Sequence, residues 1–106
     1  SEKWDHVIVD PPSMGHSEEQ KQRAILKYTE LFAASAKRVV PGGQLSLSSC
    51  SSHISFEDFF EITREALSQA RRRGQILRVS GQAPDHPFLH SSHEQRYLKF
   101  VHLVLI

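Results

Sequence analysis

Two short segments carry side chains able to do chemistry. The first is "VIVDPPSMG", residues 7 to 15, where an apolar β-branched run meets an acid, Asp10, and then Pro11 and Pro12. The second is "SSCSS", residues 48 to 52, which holds the only cysteine, Cys50, among serines. A thiolate is a nucleophile, and a nearby carboxyl group can hold or move a proton. Together they suit one reaction well. Pyrimidine C5 is a poor nucleophile until a thiolate adds at C6 and turns the ring into an enamine. C5 can then attack an electrophilic methyl group. An acid near N3 stabilises the charge that develops. A free thiol, with a pKa of about 8.5, needs local help to ionise at neutral pH.

Each of these residues also has an ordinary reading. A lone cysteine is commonly a small buried residue. Asp-Pro is common turn chemistry. His53 follows the cysteine loop and could activate the thiol or simply face solvent. Met14 and Phe88 could line a base pocket or pack. Asp85, His86, His90 and His93 form a loose cluster, but their spacing fits no standard zinc pattern.

The elements that must position these groups are legible from periodicity. His6–Val9 reads as a short buried strand. Ser17 and Gln20 form an S-x-x-Q capping box that opens a helix. Its apolar face runs through Ile25, Tyr28, Phe32, Ala36 and Val39, and Pro41-Gly42-Gly43 stops it. Gln44–Ser49 alternates Leu45 and Leu47 with polar residues, as a second strand does. Ser55 with Asp58 gives a weaker cap for a second helix, lined by Phe56, Phe59, Phe60, Thr63, Leu67 and Ala70. Arg71, Arg72 and Arg73 fall in its last turn, as a solvated helix end or, secondarily, an RNA-phosphate contact. Gly74 suits the C′ position. Gln75–Val79 is a third strand. A polar loop then leads to a long apolar strand, Tyr97–Ile106.

This order, β-α-β-α-β-loop-β, predicts an α/β fold with three parallel strands, two main helices and a last strand that pairs antiparallel. Ligands of open α/β sheets bind beyond the carboxyl ends of the strands. Asp10 ends the first strand and Cys50 follows the second, so neighbouring strands would bring them together.

The totals narrow the classes. The chain has 106 residues, 39% hydrophobic and 24% charged, with a net charge of +1. That is one domain without the bulk basicity of many nucleic-acid binders. The single cysteine excludes an internal disulfide framework and fits a reducing, cytoplasmic setting. No apolar run approaches the roughly 20 residues of a membrane span. A polar start, without Met, only a few residues before a strand suggests a piece of something longer.

Three longer stretches, "DHVIVDPPSMG", "RVVPGGQLSLSSCSS" and "GQAPDHPFLHSSHEQRYLKFVHLVLI", resemble the second half of a class I S-adenosylmethionine-dependent methyltransferase domain. The resemblance is to bacterial 23S ribosomal RNA cytosine-5 methyltransferases of the large-subunit methyltransferase I type, and it spans nearly the whole chain. D-P-P and P-G-G are widespread among methyltransferases. S-C-S, followed by D-H-P and Y-L-K, narrows the match. A related branch that makes 7-methylguanine has asparagine where Cys50 stands.

The resemblance implies that residues 1–106 are the C-terminal fragment of a Rossmann-like catalytic domain acting on 23S rRNA. Cys50 would be the nucleophile at C6, and Asp10 would contact the N3/N4 edge of a flipped cytosine. Pro11 and Pro12 would form the wall beside the base. Asp85 and His86 are candidates for substrate contact, and the base that removes the C5 proton is unassigned. The family's glycine-rich cofactor turn has no counterpart, since the glycines stand at 15, 42, 43, 74 and 81. The fragment is therefore expected to bind S-adenosylmethionine poorly, to be inactive alone, and to self-associate through the edge of its first strand. Two other classes remain: a nitrogen methyltransferase that uses D-P-P with Cys50 incidental, and a non-catalytic methyltransferase-like domain that binds RNA or protein.

Overall fold

Alternation along the strands decides which face of the sheet is covered. In the computed structural model, which describes residues 2–14, 17–81 and 98–106, Leu45, Leu47, Val101, Leu103 and Leu105 are all buried. They point to one face, where the buried sides of two helices meet them. The elements run β1 (Trp4–Val9), a 3-10 turn (Glu18–Gln20), α1 (Lys21–Ala36), β2 (Val39–Ser49), α2 (Phe56–Gln69), β3 (Gly74–Gly81) and β4 (Lys99–Leu105). The sheet order is β1-β2-β4-β3. β1 pairs parallel with β2, and β4 pairs antiparallel with both β2 and β3. The first three strands are therefore parallel and the last opposes them, as the element order predicts.

Tyr28, Phe32 and Phe59 form the centre of the core. Phe32 meets Tyr28 at 5.8 Å and Phe59 at 6.0 Å, the latter edge to face. Such pairs add to simple area burial. α1 buries Ala24, Tyr28, Thr29, Phe32, Ala33 and Ala36, and α2 buries Phe59, Ile62, Thr63 and Ala66. The opposite sheet face carries His6, Ser46 and His102. The His6 and His102 rings stack at 5.6 Å, and His6 Nε2 lies 3.0 Å from Ser46 Oγ. Ile8 on this face is 70% exposed. Among the described residues no strand pairs with the other edge of β1, and no helix is long and apolar enough to cross a membrane.

Four local expectations change. Ser17 makes no side-chain cap; a 3-10 turn intervenes before α1. The cap of α2 is a full reciprocal box, with Ser55 Oγ accepting from the Asp58 N–H and Asp58 accepting from the Ser55 N–H. Pro41-Gly42-Gly43 does not stop the helix, which ends at Ala36; it lies within β2 as a bulge between the Trp4↔Val39 and His6↔Gln44 pairs. Gly42 there has φ +84°, and a Cβ on Gly43 would stand 2.8 Å from the Asp5 carbonyl oxygen. Both glycines are thus required by the bulge.

The fourth change is at the arginines. α2 ends at Gln69, and Arg71, not Gly74, takes the left-handed C′ position with φ +56°. The Arg71 N–H donates to Ser68 O and the Arg72 N–H to Leu67 O, a Schellman closure. Gly74 lies in β3, where a Cβ would touch the Leu105 side chain at 3.0 Å.

Candidate active site

The carboxyl end of β1 lies beside the end of β2 because the two strands run parallel, with Val9 opposite Leu47. Asp10 thus comes level with Ser48. The Ser48 hydroxyl lies 3.1 Å from the Val9 carbonyl and 3.0 Å from Asp10 Oδ1, a two-acceptor arrangement that fixes the carboxylate over the strand end. Ser48 is buried and Asp10 exposed, so the acid is anchored on one side and open on the other. Pro11 is buried and Pro12 exposed. The loop that follows is pinned from below: the Met14 N–H donates to the Tyr28 hydroxyl at 3.3 Å. Met14 itself packs against the core.

Cys50 comes two residues after Ser48, just past the end of β2, and is partly exposed. Its neighbours Ser49 and Ser51 are each 1% exposed. The Ser51 N–H donates to Ser49 Oγ and the His53 N–H to Ser51 Oγ, both at 3.4 Å. Cys50 is therefore the member of the serine-cysteine-serine run that faces outward. His53 turns to Glu18, with Nδ1 to Oε1 at 3.3 Å, and ties the cysteine loop to the turn before α1. Lys21 and Asp58, 3.1 Å apart, join α1 to α2.

Lys99 is a feature of this rim that the sequence reading did not assign. It heads β4 opposite Ser49, and its Nζ donates to the Ser51 carbonyl at 2.9 Å. Burial pushes its pKa below the usual lysine value, while the charges of Cys50 and Asp58 act in the other direction. The available signal was a lysine opening an otherwise apolar strand. Its partner could not be read without the β2–β4 register.

Asp85 and His86, with His90, His93 and Phe88, lie outside the described residues. Among the described residues no group of His, Cys, Asp or Glu could hold a metal ion. The Gly42–Gly43 bulge lies near the start of β2, at the opposite end from the rim. The described residues do not by themselves make a glycine cradle for an adenosyl group. A hollow of about 470 Å³ lined by Glu30, Ala33, Ala34, Lys37, Arg38 and Gln69 also lies at that far end.

No protein-family model matches the chain. It is 42% identical over 101 residues to a ribosomal RNA large subunit methyltransferase of Deinococcus radiodurans, covering 94% of this chain and 24% of that protein. It is 33% identical over 99 residues to ribosomal RNA large subunit methyltransferase I of Pseudoalteromonas atlantica, covering 93% and 25%. With the enzyme of that name from Aeromonas salmonicida it shares 35% over 98 residues, covering 92% and 25%. The chain thus spans about a quarter of the length of the curated relatives it matches. Two solved structures superpose on 97% of it at 16% identity, each over 26% of its own length. One is assigned as a methyltransferase and was solved with SAH bound, with a TM-score of 0.70. The other is assigned as a SAM-dependent methyltransferase of Streptococcus mutans, with a TM-score of 0.67. Along nearly its whole length the chain is homologous to a quarter-length segment of the ribosomal RNA large-subunit methyltransferases, and it has the α/β fold seen in SAM-dependent methyltransferases.

Proposed function

We propose that the chain is the substrate-facing part of an S-adenosylmethionine-dependent RNA methyltransferase that modifies C5 of a cytosine in 23S rRNA. The observation that supports this reading best is the Ser48 bridge. It holds Asp10 at the strand end, and Ser48 itself stands two residues before the outward-facing Cys50. The named relatives, all ribosomal RNA methyltransferases, supply the substrate class.

In this reading a cytosine leaves its stack and lies against Pro12, with Asp10 at its N3/N4 edge. The Cys50 sulfur adds to C6, and the C5–C6 π pair moves to C5. The methyl donor supplies an electrophilic methyl carbon when bound. Once C5 carries its methyl group, loss of the C5 proton returns the electron pair to the ring and expels the sulfur. Asp85 and His86 belong to the same proposal as substrate contacts. The cofactor cradle lies in the part of the parent protein outside this chain, so the isolated chain binds the cofactor poorly and does not turn over. Isothermal titration with micromolar affinity would refute that clause. The edge of β1 that pairs with no strand among the described residues is where the isolated chain would self-associate, which light scattering reads as a dimer.

Mass mapping of rRNA methylated by full-length Cys50→Ala protein tests the mechanism. Loss of 5-methylcytosine with the protein folded is the expected result. Undiminished methylation would instead favour a nitrogen methyltransferase using Asp10-Pro11-Pro12 to hold an amino group.

A further inference from the structure

We propose that Lys99 is a positioning residue for the Cys50 sulfur. It holds the loop that carries the thiol and sets a positive charge against the sulfur whenever the sulfur is anionic. The inference rests on the reading of Cys50 as the nucleophile. Lys99 stands opposite Ser49 in the β2–β4 ladder, and its Nζ grips the Ser51 carbonyl at 2.9 Å. The side chain therefore spans the backbone on both sides of Cys50.

The lysine is only 7% exposed. A buried ammonium is costly unless hydrogen bonds and opposite charge compensate it. The Ser51 carbonyl supplies one such hydrogen bond, and the charge of Asp58 acts in the same sense. Cys50 changes charge twice in the proposed cycle, on adding to C6 and on leaving it. When the thiol ionises, its proton passes to water and Lys99 keeps its own. The same fixed charge then favours departure of the sulfur as a thiolate.

Because Cys50 is the only cysteine, its alkylation can be followed on the chain as it stands. Rates with anionic iodoacetate and neutral iodoacetamide would be compared at one pH and low ionic strength. Lys99→Met is expected to lower the iodoacetate-to-iodoacetamide rate ratio about fivefold, the effect of one partly screened charge close to the sulfur. A purely structural tie would change both rates together and leave the ratio unmoved, which would overturn the proposal. Should Lys99→Met fail to fold by circular dichroism, Lys99→Gln is read in the same way. The readout needs no RNA and no cofactor, so its failure leaves the Cys50→Ala methylation test standing, and the converse holds too.

Discussion

Adjacent Arg71 and Arg72 should respond to mutation with opposite signs. Arg72 folds back as a clip. Its Nη1 donates to Ala36 O and Val39 O, both at 2.7 Å, while longer contacts of 3.5 Å reach Val40 O and Ile106 O. It thereby joins the end of α1 to the start of β2. A hydrogen bond from a charged donor contributes about 1.5–3 kcal/mol when buried. The two short bonds here are only partly buried, so Arg72→Met should cost about 2 kcal/mol in all. For a domain of this size that lowers Tm by roughly 10 °C. Arg71 is exposed and sits at φ +56°, a conformation that costs a non-glycine residue about 1–2 kcal/mol. Glycine relieves that strain but returns part of the gain as unfolded-chain entropy. Arg71→Gly should therefore stabilise by about 0.5 kcal/mol. Urea titration of the two variants reads both effects as shifts in midpoint at unchanged slope. Equal, near-zero shifts would refute the clip and return both arginines to the solvated helix end that their sequence suggests.

Two further outcomes follow from the rim and the helix cap. Tyr28→Phe removes the acceptor for the Met14 N–H and should cost about 1 kcal/mol. Hydrogen exchange at the Met14 amide should accelerate out of proportion to global stability; unchanged protection would mean that another group holds the loop. Burial raises the pKa of Asp58, but the hydrogen bonds from the Ser55 backbone and Lys21 outweigh it, so the net shift is downward. A depressed folded-state value gives stability that is present above the ordinary carboxylate pKa and lost as pH falls through the lower folded value. Asp58→Asn should accordingly flatten the acid limb of a stability-versus-pH curve, and an unchanged limb would contradict the assignment.

The strand ends that bear Asp10 and Cys50 were legible because apolar alternation and short crossovers dictate them locally. The core was legible to a similar degree. Tyr28, Phe32 and Phe59 follow from helical spacing, although Ile62 and Ala66 complete the buried face of α2 instead of Phe60, which is 37% exposed. Features set by distant partners were not legible. Proline and two glycines look like a helix stop until the Trp4↔Val39 register makes them a bulge. Arg72 looks solvated until the end of α1 comes within its reach, and Lys99 reads only as part of Y-L-K in the last strand until β4 lands beside Ser49.

The order β1-β2-β4-β3 also constrains synthesis. β2 and β3 are made early, yet they share no ladder; each waits for a strand encoded later that must slot between them. Until then both present unpaired edges to whatever is nearby. A premature stop codon anywhere between Gly81 and Lys99 would therefore remove a middle strand of the sheet, leaving the β1–β2 pair and β3 with no seam to join them.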